Sequence, residues 1–260
     1  MDLGLAGNTA LITGASRGIG RAIALALAGE GMAVMLVARD AERLAAVQAE
    51  IRYAGGRAEC LAIDLRLPGS AEQCLAATER AFGALSLLVN NAGDTKHGSF
   101  FELTDGDWEN GFSLKFYSYM RLSRAAWPTL KAQRGMIVNI IGTNARAGNA
   151  LFTIGGAVNA ALVNLTKSLA DLGVTDGVRV NAINPGGIRT DRHEQRLSLR
   201  AGREGVSTGE AAQRILRETR VDRFGLPEEI GAAVAFLASK HAEYFQGAII
   251  DIDGGLNRAV

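Results

Sequence analysis

Residues 13–20, TGASRGIG, separate a short apolar segment from a run of good helix formers. The apolar segment before them, residues 9–12, has the length of a buried strand. Residues 21–28 are rich in Ala, Leu and Ile and predict a helix. The glycines therefore lie where a strand turns into a helix, which is the context that a phosphate-binding loop requires. We expect this loop to bind a nucleotide.

Each glycine of the loop has its own physical role in this prediction. Gly14 permits the tight turn, Gly18 lets a pyrophosphate approach the backbone, and Gly20 lets the helix pack close to the strand. The free N–H groups and the positive dipole end of the helix would then bind the anion. Because glycines also mark ordinary turns, the prediction depends on their position between a strand and a helix.

Strands and helices alternate along the rest of the chain. Further strands are predicted at residues 33–37, 58–63, 85–89, 136–141, 178–183 and 248–252, and helices at residues 40–54, 70–82, 108–130, 157–171 and 228–239. The strands are mostly apolar throughout, which indicates a parallel sheet covered on both faces. Residues 186–225 show no regular strand pattern. We predict an α/β fold: a single doubly wound, Rossmann-type domain over residues 1–260, with a seven-stranded parallel sheet and helices on both faces.

Composition narrows the class of protein. The 260 residues are 48% hydrophobic, and the net charge is +1, from 28 basic and 27 acidic residues. This balance gives no electrostatic case for nucleic acid or an anionic membrane as a partner. Cys60 and Cys74 have neither metal spacing nor a disulfide framework, and the N-terminus lacks the basic flank of a signal peptide. We expect a cytoplasmic protein that acts on a small molecule and has no metal site.

The residues that follow the second strand favour one form of dinucleotide. An acidic residue there would bind the ribose 2′-hydroxyl of NAD(H), but this chain has Ala38 followed by Arg39, with Arg17 in the glycine loop. Two guanidinium groups suit a 2′-phosphate, so NADP(H) is preferred over NAD(H). The alternative is that Arg39 pairs with Asp40 or Glu42.

Two later segments also point to the cofactor. Asp64 ends the third strand and could accept a hydrogen bond from the adenine amino group; its alternative role is a helix cap. Asn91, Ala92 and Gly93 follow the fourth strand, where small residues would let the backbone of the cofactor pass. Both segments lie at carboxyl ends of strands, where doubly wound sheets bind their ligands.

The glycine loop, residues 90–93 (NNAG), residues 184–190 (NPGGIRT) and the tail from residues 223–225 (RFG) to 253–255 (DGG) together resemble the short-chain dehydrogenase/reductase family over nearly the whole chain. The resemblance implies nicotinamide contacts from Ile188 and Thr190, a substrate lid at about residues 189–223, and a homotetramer or dimer. The predicted cofactor-binding residues are Gly14, Ser16, Arg17, Gly18, Ile19, Gly20, Arg39, Asp64, Leu65, Asn91, Ala92, Gly93, Pro185, Gly186, Ile188 and Thr190.

The chemistry that the resemblance implies uses four residues that this chain replaces. In the family a Tyr transfers the proton, a Lys four residues on lowers its pKa, a Ser holds the substrate oxygen and an Asn supports a water chain. Those positions fall on Gly155 for the Tyr, Asn159 for the Lys, Gly142 (beside Thr143) for the Ser and Lys115 for the Asn. No Tyr-x-x-x-Lys occurs in the chain, and an unassisted Tyr titrates near ~10, too high for efficient proton transfer.

The replacements suggest an exchange of Lys and Asn between two neighbouring elements. We hypothesise that Lys115 keeps an ammonium in the pocket and that partial burial lowers its pKa, making it an acid or a base. The alternative is that Lys115 reaches solvent or pairs with a carboxylate. Gly142 and Gly155 are expected to leave open volume where a substrate carbonyl would lie. Thr143 is a weaker candidate, because Thr alone is a poor acid.

Other polar residues are weaker candidates still. Asn144 could orient a carbonyl, His97 could transfer protons near neutral pH, and Tyr119 shares a helix face with Lys115. The alternative roles are a turn residue for Asn144, a solvated loop residue for His97 and a core residue for Tyr119. Five arginines in the lid segment fit either an anionic substrate or a solvated helix with ion pairs. They are Arg189, Arg192, Arg196, Arg200 and Arg203.

Three functions remain open at this point. The first is an NADP(H)-dependent oxidoreductase that uses a non-standard proton-transfer group. Loss of acid–base help slows a reaction by about 10²–10⁴-fold without forbidding it. The second is a cofactor-binding protein without turnover, either a sensor or the partner of an active homologue. The third is a non-redox enzyme, such as a lyase, that reuses the pocket.

Overall fold

A seven-stranded parallel sheet forms the centre of the protein in a computed structural model that describes residues 2–258. The strand order is β3-β2-β1-β4-β5-β6-β7, and every neighbouring pair is parallel. The strands are β1 (Thr9–Thr13), β2 (Ala33–Ala38), β3 (Arg57–Ala62), β4 (Leu87–Asn90), β5 (Met136–Ile140), β6 (Arg179–Pro185) and β7 (Ile249–Ile252). The predicted fold class is confirmed.

Helices cover both faces of the sheet. They are α1 (Gly18–Gly29), α2 (Ala41–Tyr53), α3 (Ser70–Phe82), α4 (Asp105–Gly111), α5 (Ser118–Gln133), α6 (Thr153–Asp176), α7 (Asp191–Glu204), α8 (Thr208–Thr219) and α9 (Pro227–Ala238). One apolar core joins α1, α2 and α9 to the sheet, and a second joins α3, α5 and α6 to the opposite face. None of the helices in residues 2–258 combines the length and the apolar character needed to span a membrane.

The helix predicted at residues 108–130 is wrong in detail. A π-helical turn, Phe112–Tyr117, separates α4 from α5 and carries Lys115. Helix α5 contains Pro128 and continues through it to Gln133, beyond the predicted end at residue 130. Apolar periodicity shows that a helix exists but does not reveal one wider turn within it. Such π turns occur often at functional sites.

Two other helical regions extend beyond the sequence prediction. Helix α6 begins at Thr153 rather than at 157. The prediction missed its first turn because that turn holds Gly155 and Gly156, and glycine is a poor helix former. Residues 186–225, which show no strand pattern in the sequence, contain α7 and α8. Thr190 caps α7 by accepting a hydrogen bond from the backbone N–H of His193. Helix α7 brings polar side chains over the carboxyl ends of the strands.

Candidate active site

A cavity of about 930 Å³ opens beyond the carboxyl ends of the central strands. It is lined by every predicted cofactor-binding residue except Asp64 and by every predicted catalytic position except Gly155. This is the edge at which doubly wound sheets bind ligands. Among the described residues, no group of three or more His, Cys, Asp or Glu side chains could hold a metal ion.

The glycine loop has the geometry of a phosphate cradle. Gly14 and Gly18 have φ values of +67° and +54°, a region that favours glycine. A Cβ on Gly20 would lie 2.2 Å from the carbonyl oxygen of Gly14, so the strand and the helix approach too closely for any side chain. No side chain caps the N-terminus of α1. Its first N–H groups are therefore available to an anion, and the loop fits a dinucleotide.

The loop after β4 is tied to the glycine loop by hydrogen bonds. The Thr13 hydroxyl accepts from the backbone N–H groups of Asn91 (2.9 Å) and Ala92 (3.0 Å). Asn91 in turn donates from Nδ2 to the carbonyl of Thr13 at 2.9 Å. Because this side chain also lies beside Gly14, the two loops form one wall of the cavity.

Arg39 lines the cavity and forms no ion pair within the described part of the chain. Asp40, one of the two carboxylates named as an alternative partner, instead caps α2 by accepting from the N–H of Arg43, and it pairs with the Arg43 side chain. Asp64 lies outside the cavity lining because its carboxylate binds the guanidinium and backbone N–H of Arg66. These bonds hold the pKa of Asp64 below its usual value. Asp64 is not the N-cap of α3 either, since that position is Gly69.

Lys115 and Asn159 meet at the floor of the cavity. Lys115 Nζ donates to the carbonyl oxygen of Ile141 at 2.6 Å and to Asn159 Oδ1 at 2.8 Å. Its stem packs on Gly93, where a Cβ would lie 2.9 Å from Lys115 Cδ. Desolvation, followed by the charge of Arg192, lowers the pKa of Lys115 to about 7. The alternatives of a solvent-directed or carboxylate-paired lysine do not match this geometry.

The open volume expected at Gly155 is absent. A Cβ on Gly155 would lie 2.0 Å from Cζ of Phe152, so the phenyl ring fills the space beside the helix. The ring is stacked on His97 with 4.1 Å between centroids. Gly142 has φ +139°, and a Cβ there would lie 3.1 Å from Asn159 Nδ2. The sequence shows which side chains are missing but not which neighbour occupies their volume.

Of the remaining candidate catalytic residues, two line the cavity and the others do not. Thr143 and Asn144 line the cavity, whereas Tyr119 is fully buried and donates from its hydroxyl to the carbonyl of Ile140 at 3.0 Å. Burial raises the pKa of Tyr119, so it forms no relocated acid with Lys115. His97 packs against Phe152 and is not part of the cavity lining.

The arginines of α7 divide into two groups. Arg200 pairs with Glu204 and Glu218, as expected for a solvated helix. Arg192 and Arg196 instead line the cavity, together with Lys115. The sequence pattern could not tell these groups apart, because the spacing of arginines along a helix does not reveal which of them faces the sheet.

The sequence and the fold of this chain are similar to those of several known proteins. Residues 14–257 match the family model described as enoyl-(acyl carrier protein) reductase. The chain is 34% identical over 258 residues to the 3-oxoacyl-(acyl-carrier-protein) reductase FabG of Vibrio cholerae, covering 98% of this chain and 99% of that protein. It is also 32% identical to the L-sorbose reductase of Gluconobacter frateurii, solved with NADPH and L-sorbose, with a TM-score of 0.96 over the full length of both chains.

A second solved structure is also similar to this chain over nearly its whole length. It is an NADPH-bound short-chain oxidoreductase from Pseudomonas aeruginosa PAO1, described as containing an atypical catalytic center. It is 33% identical to this chain, with a TM-score of 0.89 and coverage of 97% of this chain and 98% of that one.

Proposed function

Because the chain belongs to the short-chain dehydrogenase/reductase family, we propose that it interconverts a carbonyl and an alcohol with NADP(H), using Lys115 as the proton-transfer group. The observation that carries this proposal is the pair of hydrogen bonds that fixes Lys115 Nζ at the cavity. NADPH, when bound, supplies the hydride. The residues of this chain bind the cofactor, hold the substrate oxygen and move the proton.

The two hydrogen bonds determine which proton of Lys115 is exchanged. A neutral amine has two hydrogens, and both are used by the carbonyl of Ile141 and by Asn159 Oδ1. The third position on Nζ holds a proton in the ammonium and a lone pair in the amine. In reduction, the substrate oxygen takes that proton as the carbonyl carbon receives the hydride, leaving a neutral amine that solvent reprotonates. A pKa of about 7 makes both forms accessible near neutral pH.

We propose NADP(H) rather than NAD(H) because Arg39, directly after β2, and Arg17, in the glycine loop, both line the cavity. A 2′-phosphate would give the unpaired Arg39 a charged partner. Relatives solved with NADPH support the same preference. We also propose that α7 and α8 form the substrate lid, since Thr190 and Arg192 approach the cavity from this side.

Arg39→Ala is expected to weaken NADPH binding by about 10- to 100-fold, because a charge-assisted hydrogen bond contributes about 1.5–3 kcal/mol. NADH lacks the 2′-phosphate, so its affinity should change little. Fluorescence titrations of both cofactors measure the difference. Arg52→Ala is the matched control, since Arg52 pairs with Glu59 away from the cavity. Equal losses for NADPH and NADH would contradict the assignment.

One observation favours a second candidate, a cofactor-binding protein without turnover. The Phe152 ring fills the space beside Gly155, where the family has its proton donor. Binding of NADPH followed by assays with a panel of carbonyl compounds separates the candidates. Turnover supports the oxidoreductase, and binding without turnover supports the second candidate. Failure to bind NADPH would contradict both.

A further inference from the structure

We infer that the substrate carries an anionic group, the carboxylate of an oxo acid or the phosphate of a phosphorylated ketone, bound by Arg192 and Arg196 beside Lys115. This inference rests on the proposed function, because it names the substrate class of the same cavity. It depends on the placement of the two guanidinium groups and on the lack of acidic partners for one of them.

Arg192 is held close to the proton-transfer group. Its Nη2 donates to the carbonyl of Gly93 at 2.9 Å, and Gly93 is the residue on which the stem of Lys115 packs. Its one acidic neighbour within ion-pair distance is Asp94, at 3.5 Å in the described chain. The Asp94 side chain is 65% exposed, so solvent screens this pair. The Arg192 side chain therefore keeps donors for a ligand next to the reacting group.

Arg196 lies one helical turn further along α7 and lines the same cavity. Within residues 2–258 its side chain forms neither an ion pair nor a hydrogen bond; its contact is with the Phe152 ring, whose centroid is 5.9 Å from Cζ. The Arg196 side chain is exposed at the cavity and has no carboxylate within ion-pair distance in the described chain. A guanidinium in this position is open to an external anion.

The other charges around the cavity fit this role. Arg192, Arg196 and Lys115 all line the cavity. Of the three carboxylates in the lining, Asp94 lies near Arg192, and Asp40 and Asp191 are both within ion-pair distance of Arg43. A guanidinium also matches a carboxylate or phosphate through two parallel hydrogen bonds. An anion bound there would lie beside Lys115, with its neighbouring carbonyl available to the proton.

The test compares charged substrates with neutral partners of the same size. The panel pairs 2-oxo acids with their methyl esters, and dihydroxyacetone phosphate with dihydroxyacetone. The wild-type protein should favour the anionic member of one pair by at least about tenfold in kcat/KM, and the preferred pair identifies carboxylate or phosphate. In Arg196→Gln, the loss for the anionic member should exceed that for its neutral partner by about 10- to 100-fold. Arg200→Gln, on the same helix but ion-paired, is the control and should keep the wild-type preference.

The outcomes separate the inference from the proposed function. Turnover without preference for charge, or equal losses for both members of a pair in Arg196→Gln, overturns the inference and leaves the oxidoreductase proposal standing. If no compound is turned over, the oxidoreductase proposal fails, and calorimetry measures binding of the same anions to the NADP⁺-loaded protein. Anion binding that is lost in Arg196→Gln would still support the inference. Absence of any such binding overturns the inference as well. If Arg196→Gln weakened NADPH binding as much as it weakened anion binding, Arg196 would be assigned to the cofactor. That result would also overturn the inference.

Discussion

Lys115→Met is expected to slow the chemical step by about 10²- to 10⁴-fold, the usual contribution of a positioned acid or base. Methionine keeps a long side chain over Gly93 but offers no proton to the substrate oxygen. Because Lys115 lies at the substrate end of the cavity, the NADPH dissociation constant should change far less than the rate. Single-turnover measurement of NADPH oxidation with an active carbonyl compound gives the rate directly.

The matched control for this variant is Lys167→Met. Lys167 is exposed on α6 and does not line the cavity, so its removal takes away one positive charge without touching the site. Its single-turnover rate should equal that of the wild-type protein. A Lys115→Met protein that binds NADPH and reduces the substrate at the wild-type rate would remove Lys115 from the mechanism.

The pH dependence of the same reaction follows from the pKa of about 7 at Lys115. Reduction needs the ammonium, so its rate should fall as pH rises through about 7. Alcohol oxidation needs the neutral amine, so its rate should rise over the same interval. In Lys115→Met this inflection should disappear from both profiles. An inflection that survives the substitution would assign the titration to another group.

Gly155→Tyr, which returns the family's tyrosine to its position, is expected to destabilise the protein and to leave it without tyrosine-dependent catalysis. A Cβ at this position lies within 2.5 Å of three atoms of the Phe152 ring, so the whole ring must move and lose its stacking on His97. Overpacking of this kind costs about 1–3 kcal/mol or more. For a chain of this size each 1 kcal/mol lowers Tm by about 2–4 °C. Asn159 also supplies no cation to lower the tyrosine pKa.

The smallest form of this experiment compares two adjacent glycines of α6. Gly155→Ala should lower Tm, whereas Gly156→Ala should raise it, because alanine favours a helix by about 1 kcal/mol over glycine. A Cβ on Gly156 has Asn144 O as its nearest neighbour, at 3.6 Å, an ordinary contact. In a protein that already carries Phe152→Ala, Gly155→Ala should no longer lower Tm. If Gly155→Ala alone is as stable as the wild-type protein, the ring does not fill this space.

The sequence was sufficient for the sheet and for the glycine loop that lines the cavity. Apolar runs such as residues 33–38 and the glycines at 14, 18 and 20 act locally, through strand burial and backbone geometry, so a pattern of letters carries the information. The family resemblance also identified Lys115 and Asn159 as an exchanged pair, which the structure places 2.8 Å apart.

The features that the sequence did not reveal depend on contacts between distant segments or on polar helices. The Phe152 ring, which fills the space beside Gly155, stacks on His97 from a distant segment of the chain. Helix α7 is strongly polar, and nothing in its arginine spacing separates Arg196 at the cavity from Arg200 in its ion pairs. The preference for NADP(H), the substrate lid, the homotetramer or dimer and the cytoplasmic location stay predictions.

The most direct test of the account is an NMR titration of the lysine side-chain signals in the wild-type protein and in Lys115→Met. It needs neither a substrate nor a cofactor. One lysine signal, which is missing in the variant, should titrate near pH 7, because Lys115 Nζ is desolvated between Ile141 and Asn159. A Lys115 signal that titrates at the ordinary value of about 10.4 would contradict the proposed proton-transfer role.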